Sequence, residues 1–208
     1  MARDTQSIVK MSRREGYALH PKAHKALMKR ATMPGQAANA RGPRGGAKVS
    51  QYSRQLREKQ KVKRLYGLLE RQFSNLMKEA NRKEGQSGAI LLQMLEQRAD
   101  NVIYRAGFAP SRRAARQLMT HGHFMLNGTR VDIPSIRMKP GDSLVVRPHS
   151  EQTEYFKKLD EVSPAGPDTP GWLKVDRKKV QVSITGLPSR DDAELEINEQ
   201  LIVEYYSR

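Results

Sequence analysis

The sequence predicts an α+β protein: a basic N-terminal tail, a helical domain, and short helices packed on a small antiparallel sheet. Three observations predict it. Between about Ser50 and Arg98 apolar residues recur at helical spacing. Between His123 and Val146 two tight-turn signatures separate short β-prone runs. Before residue 49 large apolar side chains are sparse, and the segment MPGQAANARGPRGGAK is rich in loop formers.

Residues 1–48 are therefore expected to form a basic flexible extension that buries little surface. Arg41, Arg44 and Lys48 lie in or beside its loop-forming segment, and their default reading is a solvated linker. From Ser50 to Glu84 the pattern is helical, with an interruption near Gly67. Tyr52, Leu56, Val62, Leu65, Leu69, Phe73, Leu76 and Met77 supply a patchy apolar face. Around it stand Arg54, Arg57, Lys59, Lys61, Lys63, Arg64 and Arg71, with Glu58 and Glu70 the nearby acids. That excess of bases is more than solubility needs and points to phosphate. A second helical segment, Ser87 to Arg98, offers Ile90, Leu91, Met94 and Leu95 to a core.

Asp100 to Asp142 reads as one compact unit. Gly107 and Pro110 break the preceding helix, Ser111 is placed as an N-cap, and a helix runs from Arg112 until Gly122 stops it. Successive side chains about 100° apart put Ala114, Ala115, Leu118 and Met119 on one face and Arg112, Arg113, Arg116 and Thr120 on the other. His123–Leu126 and Thr129–Ile133 flank Asn127-Gly128, the dipeptide that best tolerates the two positive φ angles of a type I′ hairpin. Lys139-Pro-Gly-Asp142 fits a type II turn, and Ser143–Val146 supplies a third strand. A helix with a cationic face, braced on a small sheet, suits nucleic acid.

Beyond Arg147 a polar, helix-compatible stretch leads to Ser163-Pro-Ala-Gly-Pro-Asp-Thr-Pro170, a linker with three prolines. Trp172–Val175 and Val180–Thr185 can form strands, and a final helix from Asn198 to Tyr206 sets Leu201, Ile202 and Tyr205 on one side.

The chain has 208 residues, 38 Lys+Arg against 22 Asp+Glu and a formal net charge of +16, which favours a polyanionic partner. The charge is graded: residues 1–84 carry +15, 85–147 carry +5 and 148–208 carry −4. Nucleic-acid contact should concentrate in the first two regions, leaving the acidic last region for packing or a basic protein. No apolar run suits a bilayer and no start resembles a secretory signal, so a cytosolic, soluble protein without a membrane partner is expected. Cysteine is absent, which excludes disulfides and thiolate sites. His121-Gly-His123 invites a metal reading, but a structural zinc needs four ligands and no second histidine pair exists, so an RNA-facing or hairpin role is preferred. Gly42-Pro-Arg-Gly-Gly-Ala-Lys48 lacks the ending of a phosphate-binding loop of the Walker type. No nucleophile–base pair or carboxylate pair emerges, and Asp100 is best read as anchoring a local turn. No cofactor is implied, and the chain is expected not to be an enzyme. Aromatics are few, which argues against reading splayed bases and for recognising folded RNA by shape and phosphate position.

The unit at 100–142 resembles the S-four RNA-binding domain, and its flanks resemble the bacterial small-ribosomal-subunit S-four family: SRREG at 12–16, PGQ at 34–36, QLREKQKVKRLYGLLERQF at 55–73, DNVIYR at 100–105, ARQLMTHGH at 115–123 and INEQLIVEYYSR at 197–208. The resemblance spans essentially the whole chain. It implies that the C-terminal segment folds back to complete the helical domain, with the S-four module inserted: extension 1–48, helical domain 49–97, module 98–162 and completing segment 163–208. It also implies a structural protein of the small ribosomal subunit that binds an rRNA helical junction early in assembly, lies near the path by which messenger RNA enters, and meets the small-subunit protein S-five. The sequence departs from the family at Ala99, where Leu is usual, and at Ala37, where His commonly follows PGQ. Val9 and Ser12 fall where many relatives place zinc-binding cysteines, so the zinc is expected to be missing and the N-terminal region to be ordered by contacts with RNA and neighbouring proteins, or by packing not legible in the sequence.

On this reading the expected RNA contacts are Arg13, Arg14, Arg41, Arg44, Lys48, Arg54, Lys59, Lys61, Lys63, Arg64, Arg112, Arg113, Arg116, His121 and His123. The resemblance shifts Arg41, Arg44 and Lys48 from linker to RNA. Tyr205 and Tyr206 are the expected protein interface, although helical spacing after Leu201 and Ile202 also fits Tyr205 as packing. Two rivals remain: an RNA-modifying enzyme using the module as a targeting arm, which would need a catalytic domain for which little chain is left, and a regulatory binder of messenger RNA.

Overall fold

The computed structural model describes residues 4–30, 32–35, 50–164 and 169–207. In chain order the helices before the sheet are α1 (Ile8–Glu15), α2 (Pro21–Lys29), α3 (Gln51–Leu65), α4 (Glu70–Ala80), α5 (Ser87–Glu96), α6 (Ala99–Arg105) and α7 (Arg112–Thr120). Strands β1 (Phe124–Leu126), β2 (Thr129–Val131) and β3 (Ser143–Val146) follow, then the single-turn helices α8 (Pro148–Glu151), α9 (Glu154–Lys157) and α10 (Leu159–Val162). Strands β4 (Leu173–Asp176) and β5 (Gln181–Ile184) and helix α11 (Glu199–Tyr206) complete the chain. Two compact units result: residues up to Leu91 together with the segment from Glu196 onward, and Leu92–Leu195.

In the first unit α3 is the central element. It starts at Ser50, whose hydroxyl accepts from the Ser53 amide at 3.2 Å. Its end is set by Gly67, whose φ of +66° a side chain would resist. Val62 and Leu65 of α3 and Phe73, Leu76 and Met77 of α4 are buried, as the helical spacing predicts. Helix α11 lies along α3. Gln55 Nε2 donates to Glu204 at 2.8 Å, the Asn198 amide donates to Glu58 at 2.9 Å, and the Tyr52 and Tyr205 rings stand 5.8 Å apart. Of the three α11 residues expected on the packed side, Ile202 is fully buried, while Leu201 and Tyr205 are half-buried.

The N-terminal stretch differs from expectation. Residues 8–29 form two helices with Met11, Leu19 and Ala23 buried. Few apolar groups are needed because polar staples hold the pair. The Ser12 hydroxyl accepts from the Leu19 amide at 3.3 Å, and Arg13 Nε donates to the Thr32 carbonyl at 2.9 Å. These bonds order a region for which the sequence offered no zinc ligands. The buried Glu15 carboxylate receives Arg57 at 3.2 Å and also Arg64, tying α1 to α3. The remainder of the expected extension, including Arg41, Arg44 and Lys48, lies outside the described residues.

In the second unit five antiparallel strands lie in the order β2-β1-β3-β5-β4. Asn127 and Gly128 have φ of +48° and +83°, the hairpin geometry the dipeptide favours. Gly141, at φ +92°, closes the turn in which the Asp142 amide donates to the Lys139 carbonyl at 3.0 Å. Alternation places Phe124, Leu144, Val146, Val182 and Ile184 on the buried face, against Val102, Ile103, Ala115, Met119, Phe108 and Phe156. Ala99 is itself fully buried in this core.

The expected completing segment 163–208 is therefore divided differently. Leu144 pairs with Val182, and Val182 with Val175, so β4 and β5 extend the module's sheet. Only the segment from Glu196 onward belongs to the helical unit. The reason is the open edge of β3: its amides and carbonyls pair with those of β5, and this pairing carries Val182 and Ile184 into the buried core.

Candidate nucleic-acid interface

Helix α7 and the hairpin after it are held by local chemistry. Ser111 Oγ accepts from the Ala114 amide at 3.3 Å, and Gly122 follows the helix at φ +69°. An added Cβ at Gly122 would stand 2.8 Å from Arg130 Nε, but that exposed side chain can swing aside, so it is the positive φ that calls for glycine. Ala115, Leu118 and Met119 are buried, and Arg113 faces solvent with no hydrogen-bonded partner among the described residues.

Arg112 and Arg116, expected to share that solvent face, turn inward at its margin. Arg112 Nε donates to Asn101 Oδ1 at 2.9 Å and Nη2 to Glu194 Oε1 at 3.0 Å, while the guanidinium lies 4.6 Å over the Tyr104 ring. Arg116 Nη1 reaches Asp100 Oδ2 at 3.4 Å. Asp100 also accepts both nitrogens of an Arg98 fork, at 3.1 and 3.0 Å, and the Asn101 amide at 3.0 Å. It anchors the start of α6, the structural use its position suggested. Beside it the buried Glu96 accepts Asn101 Nδ2 at 2.7 Å and an Arg105 fork at 3.0 and 2.9 Å.

His121 is exposed, and its ring is 6.0 Å from that of His123. His123 is half-buried, its Nδ1 3.1 Å from Ser150 Oγ and its ring edge-on to Phe156. Burial, with His121 and Arg147 nearby, pushes its pKa below the ordinary 6.5, so at neutral pH it is an uncharged hydrogen-bonding group. Among the described residues no group of three or more His, Cys, Asp or Glu could hold a metal.

On α3 the six bases divide. Arg54 is exposed and its guanidinium has no hydrogen-bonded partner among the described residues. Lys59 is 3 % exposed, donates to Glu70 at 2.8 Å and lies 4.6 Å over the Tyr205 ring. Lys63 donates to the other oxygen of Glu70 at 3.0 Å. Lys61 pairs with Glu58 at 2.9 Å and donates to the Glu196 carbonyl at 2.7 Å. Arg64 is held by Glu15. Lys59, expected as an RNA contact, is in this structure a buried cation held by Glu70 at the start of α4. Tyr206 donates to the same Glu70 at 2.9 Å. Burial would raise the Glu70 pKa, but the bonds from Lys59, Lys63 and Tyr206 outweigh it and hold it at about 2.

The arrangement can therefore offer phosphate two classes of cation: open ones, Arg14, Arg54 and Arg113, and half-buried ones already paired, Arg13, Lys61, Lys63, Arg64, Arg112 and Arg116. The sequence did not reveal the acids Glu15, Glu96 and Glu194 as partners, nor that Glu70, though near in sequence, takes up Lys59, Lys63 and Tyr206. Only the Glu58–Lys61 pair carried a readable i,i+3 signal. Among the described residues no helix is long and apolar enough to cross a membrane.

Residues 3–96 match the family described as the ribosomal protein S4/S9 N-terminal domain, and residues 97–144 match the S4 domain. The chain is 47 % identical to the small ribosomal subunit protein uS4 of Chlorobaculum tepidum, over the whole of both chains. It is 46 % identical, again over both full lengths, to the proteins of the same name from Clostridioides difficile and Chloroflexus aurantiacus.

Proposed function

Because the chain belongs to the ribosomal protein S-four family, we propose that it is a structural, rRNA-binding constituent of the small ribosomal subunit in the cytoplasm, and not an enzyme. The observation that carries this reading is full-length identity of 46–47 % to small-subunit proteins. The physical chemistry agrees with it. Cations outnumber acids most in the two regions that hold α3 and α7, and the open guanidiniums of Arg54 and Arg113 stand on those helices.

The finer reading is that the protein recognises a helical junction of small-subunit rRNA by its phosphate positions, and so links folding of the RNA to its own binding during assembly. Arg14, Arg54 and Arg113 make the first contacts, His121 and His123 offer hydrogen bonds to phosphate or sugar, and the paired Arg112 and Arg116 join by exchanging partners. Arg41, Arg44 and Lys48 extend the basic surface toward messenger RNA where it enters the ribosome. The face carrying Tyr205 and Tyr206 meets the protein S-five, through which the protein influences decoding accuracy. In this scheme the basic extension and helical domain act as one RNA-binding body and the S-four module as a second.

The test is binding to an rRNA junction fragment and to a scrambled RNA of equal length across a salt series, for the wild type and for Arg54→Ala/Arg113→Ala. Junction-selective binding is expected, and each lost phosphate contact should reduce the log-log slope by roughly 0.7–0.9. Equal affinity for both RNAs would overturn the junction reading.

A further inference from the structure

Arg105 and Arg112 bring two guanidinium groups to one carboxylate oxygen: Glu194 Oε1 lies 3.0 Å from Arg112 Nη2 and 3.7 Å from Arg105 Nη2. The two acids beside this pair are not equivalent. The Glu96 side chain is fully buried and accepts an Arg105 fork and the Asn101 amide group, so its removal would leave buried donors unsatisfied. The Glu194 side chain is 27 % exposed. It stands on the irregular stretch between β5 and α11, whose neighbour Leu195 is 80 % exposed. One acid is built in; the other can leave.

A carboxylate and a phosphate make the same demand on a guanidinium fork, two oxygens accepting parallel N–H bonds. Glu96 faces Arg105 and Glu194 faces Arg112, so each arginine meets a carboxylate in the free protein. Arg112 is also oriented by Asn101 and by the Tyr104 ring, contacts that do not involve Glu194. The neighbouring, open Arg113 would hold an incoming strand close to it.

We propose that Glu194 is an intramolecular competitor for an RNA phosphate at Arg112 and Arg105, displaced when RNA binds. This rests on the reading of α7 as an RNA-binding helix. It makes Glu194 a residue that sets affinity without touching RNA: part of the free energy of the phosphate contact is spent on releasing the carboxylate.

The experiment is a double-mutant cycle on junction-RNA affinity with Glu194→Gln, Arg112→Ala and the two combined, using the full chain. Asp191→Asn, at an exposed position outside the Glu194–arginine pairs, controls for the change of net charge. Glu194→Gln is expected to tighten binding by about three- to fivefold, the upper scale of one partly exposed ion pair, and Asp191→Asn by less than about twofold. In the Arg112→Ala background the Glu194→Gln gain should vanish. Glu194→Asp, which keeps the charge but shortens the arm, should give part of the gain and stands in if the glutamine variant folds poorly. A gain no larger than that of Asp191→Asn, or one that survives Arg112→Ala, overturns the proposal while leaving RNA binding by α7 intact. Unchanged affinity on Arg112→Ala/Arg113→Ala would instead overturn the reading on which it rests.

Discussion

Lys59→Met separates a packing cation from a phosphate contact. The ammonium is 3 % exposed, donates to Glu70 at 2.8 Å and lies 4.6 Å over the Tyr205 ring. Methionine keeps the apolar stem and most of the volume, so the loss is confined to the charged head. A charge-assisted hydrogen bond contributes about 1.5–3 kcal/mol. The lower end applies because the Glu70 side chain, 48 % exposed, can rehydrate. The cation–ring contact adds about 0.5–1 kcal/mol, so a destabilisation of about 2 kcal/mol is expected. Denaturant unfolding followed by far-ultraviolet circular dichroism should show a lower midpoint, and the salt slope of junction-RNA binding should stay as in wild type. Arg54→Met should do the reverse, with stability within about 0.5 kcal/mol and a slope reduced by roughly 0.7–0.9. If Lys59→Met lowers the slope and leaves the midpoint unchanged, Lys59 faces RNA and the reasoning fails.

Three further outcomes are expected. Glu70, held at about 2 against an ordinary 4.5, favours the folded state above pH 4.5, and that contribution disappears as the pH falls toward 2. For so exposed a group it amounts to about 1 kcal/mol, and Glu70→Gln should remove that part of the acid-unfolding profile. Gly122→Ala forces a side chain to φ +69° and should destabilise the second unit by about 1–2 kcal/mol, measured as faster amide exchange in α7 and β1. Tyr206→Ala, which removes the hydroxyl bond to Glu70 and a half-buried ring of the C-terminal helix, should raise miscoding by ribosomes carrying it more than it weakens RNA binding; an unchanged error rate would contradict the interface.

The elements legible in the sequence are those decided within a few residues. Ser111 capping α7, Gly122 ending it, Asn127-Gly128 turning the hairpin and Lys139-Pro-Gly-Asp142 turning into β3 each rest on a side-chain bond or a backbone angle that the local residues alone determine. The basic balance was equally plain, and with it the class of partner. The tertiary structure decided which of those bases remain available. Glu15 lies 42 residues from Arg57 and 49 from Arg64, Glu194 lies 82 from Arg112, and Tyr206 lies 136 from Glu70. Such pairings depend on which helices meet, and helical periodicity reports only that a face is polar, not what stands opposite it. The same holds for β4 and β5, whose apolar alternation suits any sheet and whose place was set by the open edge of β3, and for α1 and α2, where polar staples replace the apolar surface by which a packed segment is usually recognised. Local geometry is written in neighbouring residues; the pairing of charges is written in the packing.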